Sequence, residues 1–530
     1  MGIFIYLKLS PRVSKKEWSA VYEESLKLVE AFPLARMVRR EFYGASTFCA
    51  VKTEECTDSY GRTGWWADGD METLGTAERY FIPRNLGIDA DTNEPQDDAL
   101  FGLAASYTDI IEWEDPRCKN LRELFGDKTQ GEYYHRLLLA VGCLIVDRLG
   151  KKASIFGDIT KGQCAASVDM VNKVLDKPIQ VPSQCDMQRF CDRIKEMNLS
   201  PLDEVVFFTE CILANKDEKL GHFMQEHFSM EQLKLYWMEQ MMERVQEECS
   251  LKGILKEYVT MGFPISAWCQ YVKELDAGKE GYFEKAVRDI LDLKLHKEEK
   301  YLEDWNTMDQ ENPGLYGIGT LFGKALFGGL RNYHVNKYIP MEALKVILSE
   351  AFSGQCNVEE IITKYLEEEQ KAEEEGTGEE DAGLKFNRKM DEVHAFQCQE
   401  KEEFDITDME NLECFEEGDT LEPRLEKAVK ESFQFYTNAA EEDKFKELMN
   451  GEHSDRCKFL VESNKRLLLR ESDWIHIFEE IEKDKSSYKR YYPMVRVVAE
   501  GDLQNMVRAF VLNDDFYEFC SRLIAEDGIK

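Results

Sequence analysis

Apolar residues recur at Trp18, Val21, Tyr22, Leu26, Val29 and Phe32, the three-and-four spacing that turns one face of an α-helix toward a core. Ser14 and Glu17 just ahead of this run match a capping box, and Pro33 ends it. Before the helix, IFIYLKL (3–9) alternates imperfectly and reads as a strand, and two more strands are expected around 39–43 and 47–52 with Gly44 between them. Residues 58–100 are rich in Gly, Asp, Thr and Asn, with one strand expected at 79–82. A second capping box, Thr129-Gln-Gly-Glu132, predicts the start of a helix whose middle, LLLAVGCLIV (137–146), is apolar on every side and therefore buried on every side. A strand at 153–156 follows. A third box, Thr160 to Gln163, then opens a helix with Cys164, Val168, Val171 and Leu175 on one face, closed by Pro178 and Pro182.

From 186 to 365 the periodicity is helical, with helices expected at 186–197, 201–214, 229–248, 251–260, 264–275, 281–300, 341–350 and 357–369. Residues 367–381, EEEQKAEEEGTGEED, carry nine acidic residues against one lysine. Like charges at that density repel, so the stretch reads as a frayed or disordered linker. Helical spacing returns after 422, as at Leu503, Met506, Val507, Phe510 and Val511, with a strand expected at PMVRVV (493–498). The expected fold class is α+β and predominantly helical, a small N-terminal β-containing domain followed by helical domains. The expected division is an α+β domain with long loops at 1–126, a helix–strand–helix core unit at 127–185, a helical domain at 186–366, a partly disordered acidic linker at 367–421 and a C-terminal helical domain at 422–530.

Charge narrows the function classes. With 103 acidic against 67 basic residues the formal charge is −36, which on average repels phosphate backbones and anionic membrane surfaces. Neither nucleic acid nor a membrane is the expected partner. Fifteen cysteines without a C-x-x-C pair suit a reducing compartment and supply no structural zinc site. The N-terminal MGIFIYLKLS is too short for a signal segment, and no run of 18 apolar residues occurs, so a cytoplasmic protein is expected.

The stretch GIGTLFGKALFGGL (317–330) resembles a phosphate loop only superficially. Gly323-Lys324 is followed by Ala325 instead of Ser or Thr, Ile318 stands where the first glycine belongs, and Phe322 breaks G-x-G-x-x-G. Close packing or a turn accounts for these glycines. FGDITKGQC (156–164) is more site-like: a strand ends, Asp158 follows, and a helix N-terminus carrying Lys161 faces whatever sits there. The capping box explains Thr160 and Gln163 as well as a ligand would. Glu132 and His135, three apart on one helix, are the remaining acid–base candidates. Trp65 and Trp66 stand in an expected loop; if it is extended they face opposite ways, one buried and the other exposed to a ligand or partner, with core packing of at least one the leading expectation. Trp237, Met238, Met241 and Met242 are core filler or an adaptable surface. No histidine or cysteine set has metal-ligand spacing and no G-x-S-x-G occurs. No metal and no cofactor are expected.

KTQGEYYH, FGDITKGQCAASVDMVNKVL and SYKRYYPMVRV resemble stretches in uncharacterised bacterial proteins of similar length. That resemblance implies a bacterial cytoplasmic setting and carries no activity, cofactor or catalytic residue. The expected function is non-enzymatic: protein–protein interaction favouring a basic partner, of which immunity- or antitoxin-like binding is one form. The alternatives are an enzyme with its site near Glu132, His135 and Asp158, and a nucleic-acid mimic using ordered carboxylates.

Overall fold

The computed structural model describes residues 2–87, 98–246, 251–275, 278, 281–297, 337–374, 405–406, 409–441, 443–464, 466–496 and 502–527. The glycine-rich stretch 317–330 lies outside them. The fold is α+β, a sheet-containing N-terminal region followed by helices. In chain order the first part gives β1 (Phe4–Leu9), α1 (Lys15–Ala31), β2 (Leu34–Phe42), β3 (Ala45–Lys52), β4 (Cys56–Thr57), β5 (Thr63–Asp70), β6 (Thr76–Pro83), α2 (Leu100–Tyr107), α3 (Pro116–Lys119), β7 (Arg122–Lys128), α4 (Tyr134–Leu149), β8 (Ala153–Gly157) and α5 (Lys161–Asn172). Helices follow: α6 (Met187–Lys195), α7 (Pro201–Cys211), α8 (Glu218–His227), α9 (Met230–Gln246), α10 (Lys252–Thr260), α11 (Ile265–Glu274), α12 (Tyr282–Leu291), α13 (Met341–Phe352) and α14 (Val358–Glu374). The last part gives β9 (Asp405–Ile406), β10 (Thr420–Leu421), α15 (Pro423–Ala439), α16 (Asp443–Met449), α17 (His453–Ser463), β11 (Leu469–Arg470), α18 (Glu471–Lys483), α19 (Pro493–Arg496), α20 (Asp502–Leu512) and α21 (Asp514–Asp527).

The chain divides into two compact units, each assembled from separate segments: Met1–Phe32, Glu55–Trp65 and Ala77–His394 form the first, and Pro33–Glu54, Trp66–Thr76 and Ala395–Lys530 the second. In the first, β1 is the middle strand of an antiparallel sheet ordered β7-β1-β8. Tyr6 pairs with Gly126 on one side and Phe156 on the other. Strand alternation buries Ile5, Leu7 and Leu9 completely. The all-apolar helix α4 is buried from Leu137 to Val146, as its sequence requires. Gly142 gives it close access to Ile155 of β8. Both capping boxes at Ser14 and Thr160 form with all their hydrogen bonds. Helices α6 to α14 share one core whose largest members include Trp237, Tyr258 and Trp268.

The second unit orders its strands β11-β3-β2-β5, the last through its Leu34–Asp70 and Ala35–Gly69 pairs. Strands β2 and β3 are a hairpin in register from Ala35–Lys52 to Phe42–Ala45, closed by Tyr43 and Gly44. Trp474, Ile477, Phe478 and Ile481 of α18 pack into a core with Cys49, Leu469, Tyr488 and Tyr491. Arg456 is buried there and donates to the carbonyls of Met449, Gly451 and Ile481, so its charge is spent on backbone oxygens.

Three local expectations are corrected. Thr129 does not cap a helix: Gln130 and Gly131 have φ of 55° and 78°, which turns the chain before the helix begins at Tyr134. The described part of PMVRVV, Pro493–Arg496, is helical instead of a strand, with Met494 buried. The first acidic residues of 367–381 continue α14 to Glu374. Glu368 meets Arg288 at 3.1 Å and Glu369 meets Lys297 at 3.0 Å, so cations from elsewhere in the unit offset the repulsion that the local sequence suggests.

One packing contact gives a direct test. Gly221 of α8 lies so close to the Met261 carbonyl that a Cβ would overlap it. Gly221→Ala is expected to lower stability by about 1–3 kcal/mol. An unchanged or raised melting temperature would show that this backbone approach is loose.

Candidate functional site

The residues singled out along the chain fall at separate places. His135 is buried, and its Nδ1 lies 2.7 Å from Thr129 Oγ1. Burial, with a smaller contribution from Arg136, pushes its pKa down to about 4, so the ring is neutral at pH 7. Glu132 sits half-buried on the same turn, and its carbonyl accepts from the His135 amide at 2.9 Å. Asp158 accepts from the Phe4 amide at 2.8 Å while its own amide donates to the Phe4 carbonyl. Thr129 ties to Ile3 differently, its amide and its hydroxyl both donating to the Ile3 carbonyl. Thr129 follows β7 and Asp158 follows β8, the two strands on opposite edges of β1, about 10 Å apart. These contacts fasten both strand ends to the N-terminal strand and bring no proton donor and acceptor together. Lys161 is exposed at the first position of α5.

Trp65 is fully buried and its indole N–H donates to Ser25 Oγ at 3.1 Å. Trp66 is half-buried, with the Arg36 guanidinium 5.4 Å from its ring centre. The two rings therefore do differ in exposure. Trp237 and Met241 are core residues, whereas Met242 is exposed.

A groove in the second unit has the composition of a recognition site. It encloses about 360 Å³ between the β2–β3 turn, the start of α17 and one side of α18. Glu41, Phe42 and Tyr43 line the first wall, His453 one end, and Ile475, Phe478, Glu479 and Glu482 the other wall. The α18 residues stand at i, i+3, i+4 and i+7, which places them along one helix face. Phe478 belongs both to this face and to the core, and so anchors the groove floor. Tyr43 meets Phe478 edge-on at 5.2 Å and His453 at 5.6 Å. Its hydroxyl lies 3.2 Å from His453 Nε2. Despite these contacts Tyr43 remains 44% and Ile475 48% exposed, which leaves apolar surface open beside carboxylates. Glu479 has Lys483 at 3.8 Å; Glu41 and Glu482 have no ion-pair partner among the described residues.

Beneath the groove, His453 has the buried Cys457 beside it, and the ionisation of the thiol decides what the pair does. Cys457 Sγ lies 3.5 Å from His453 Nε2. Burial pushes the thiol up to about 11, so it is protonated at neutral pH. A nucleophilic cysteine needs the thiolate; this one packs. Among the described residues no group of three or more His, Cys, Asp or Glu side chains could hold a metal ion, and no helix is long and apolar enough to cross a membrane.

A larger cavity of about 580 Å³ in the same unit is lined by Glu72, Glu413, Glu416, Arg470, Asp514 and Asp515 among others. Arg470, the arginine in its lining, and Arg508, which meets the lining residue Glu413, both donate to backbone. Arg470 donates to the Met71 and Glu72 carbonyls, and Arg508 to the Thr73 carbonyl. Glu413 meets Arg508 at 3.2 Å, yet burial outweighs that attraction and raises its carboxyl to about 7. This network clamps the Asp70–Gly75 turn.

No family model, no curated protein and no solved structure matches the chain. Sequence reasoning missed the groove because its parts lie some four hundred positions apart. The usable signal was the face 475, 478, 479 and 482, hidden behind the stronger core stripe of the same helix.

The buried His135 predicts acid sensitivity. Its folded pKa is depressed, so its stabilising neutral form is fully retained above about 6.5 and lost as pH falls toward about 4, a loss of about 3 kcal/mol. His135→Gln is expected to flatten the fall in urea midpoint between pH 7.5 and 5. Parallel pH profiles for the two proteins would contradict the assignment.

Proposed function

We propose that this protein acts by binding, and that the groove of the second unit takes a segment of a protein partner in which a basic residue stands next to an apolar one. The observation that carries this reading is the pairing of open apolar surface, Tyr43 and Ile475, with two carboxylates, Glu41 and Glu482, that have no ion pair among the described residues. A lysine or arginine beside a leucine or valine satisfies both halves: the cation replaces the missing partner, and the apolar group covers the aromatic floor. The formal charge of −36 extends the same preference outward, raising the encounter rate with a cationic partner and suppressing anionic ones. Immunity-like capture of a basic protein is one biological form of this chemistry. A protonated Cys457 and a neutral, enclosed His135 favour binding over catalysis at these two positions.

The test uses the full chain and a fluorescein-labelled peptide of alternating arginine and leucine, followed by anisotropy. Binding is expected to weaken as NaCl rises from 50 to 300 mM. The double variant Glu41→Gln/Glu482→Gln is expected to weaken it about tenfold further, since each exposed pair is worth up to about 1 kcal/mol. Wild-type affinity in that variant, with the fold intact by circular dichroism, would overturn the reading.

A further inference from the structure

A different feature lies in the first unit. Where β8 ends, the C-terminal turn of α2 and the end of α7 close around a narrow slot of about 60 Å³. Leu103, Ile155, Phe156, Ile159, Cys211 and Leu213 supply its hydrocarbon walls. Gln184, also in the lining, has its side chain engaged: the side-chain nitrogen donates to the Ile155 carbonyl at 3.0 Å, and the side-chain oxygen accepts from Ser183 Oγ at 3.5 Å. Gly157 bends the strand end with φ of 123°, and a Cβ there would strike the Phe4 carbonyl, so this wall admits no side chain.

Two things mark the mouth. Tyr107 stands at it, 46% exposed, its ring edge-on to Phe156 at 6.1 Å. Phe156 in turn stacks on Tyr6 at 5.4 Å and Tyr6 on Phe4 at 5.6 Å, so a stack of rings whose Phe156 member is buried runs up to the slot. The other mark is charge. Glu210 lines the rim, and the Asp158 carboxylate is near enough to act on the Tyr107 hydroxyl. Lys216, 3.4 Å from Glu210, is shared with Glu257 at 2.9 Å, so this cluster keeps a net negative charge.

The geometry points to a second docking site here: the slot receives one branched or unbranched aliphatic side chain of a protein partner, flanked on that partner by a basic residue that reaches Glu210 or Asp158. Size selects the occupant. Apolar cavities of about 150 Å³ admit benzene, so a slot less than half that volume excludes an aromatic ring and accepts the end of leucine, isoleucine, valine or methionine. Charge selects its neighbours, since an acidic flank meets two carboxylates. This site goes beyond the groove of the second unit and stands on separate residues.

The experiment keeps the two apart. Three labelled peptides, Arg-Gly-Leu-Gly-Arg and its Ala and Trp counterparts at the central position, are titrated into the full chain carrying Glu41→Gln/Glu482→Gln. The leucine peptide is expected to bind about tenfold more tightly than either counterpart, the worth of burying an aliphatic side chain. Tyr107→Ala and, separately, Glu210→Gln in the same background are each expected to lower leucine-peptide affinity several-fold, Tyr107→Ala also narrowing its lead over the alanine peptide. Equal affinity for the leucine and alanine peptides overturns the proposal. So does a leucine preference that survives Tyr107→Ala unchanged, or one that appears only when Glu41 and Glu482 are intact. The first two of these outcomes leave the groove's cation binding untouched, since they are read with Glu41 and Glu482 already replaced.

Discussion

Tyr43 holds a backbone φ of 53°, in the left-handed region that a bulky aromatic residue rarely enters, and Gly44 follows at 80°. Two successive left-handed residues form the tight turn whose twist matches that of paired strands. The non-glycine member costs on the order of 1 kcal/mol. The full register of β2 and β3 up to the Phe42–Ala45 pair, together with ring contacts from Tyr43 to Phe478 and His453, offsets it. Relaxing the turn would swing Tyr43 out of the groove and remove one wall. The proposed recognition surface thus depends on a strained turn held in place by the core beneath it.

That dependence explains why the groove can be open and still well defined. Its floor is Phe478, which packs with Trp474 and Phe42 at 5.6 and 5.3 Å. Its carboxylates ride on the exposed rim, where they stay in contact with water. Buried chemistry elsewhere follows the opposite rule. Cys457, His135 and Glu413 are each driven by burial toward their neutral forms. Among the described residues, the carboxylates of the proposed groove sit at the surface, whereas these three buried groups are packed, hydrogen-bonded or paired.

How much of this was legible along the chain follows from range. Ser14–Glu17 and Thr160–Gln163 close hydrogen bonds over three residues, and α4 declares its burial in its own composition. Thr129–Glu132 has the same local pattern but fails as a cap, because the left-handed Gln130–Gly131 pair turns the chain early, and a motif of residue types does not encode that angle. The acidic end of α14 reads as frayed until Arg288 and Lys297 are placed beside it. The make-up of the second unit is non-local in the same sense: Pro33–Glu54 and Trp66–Thr76 belong with the C-terminal quarter of the chain, Ala395–Lys530. The groove joins Tyr43 to His453 and Ile475, and no window of sequence contains all three. Trp65 and Trp66 show the middle case: their stretch reads as a loop along the chain but is strand β5, and which ring is covered depends on Ser25 and Arg36, which lie far off in sequence.

The central claim is a location, and cross-linking reads location directly. An arginine–leucine peptide bearing a benzophenone in place of one leucine is bound to the full chain, irradiated, and its attachment points mapped by mass spectrometry. Attachment concentrated on Tyr43, Ile475 and Phe478, and suppressed by excess unlabelled peptide, is the result expected. Competable attachment confined to other parts of the chain, with none on the β2–β3 turn or α18, would contradict the account.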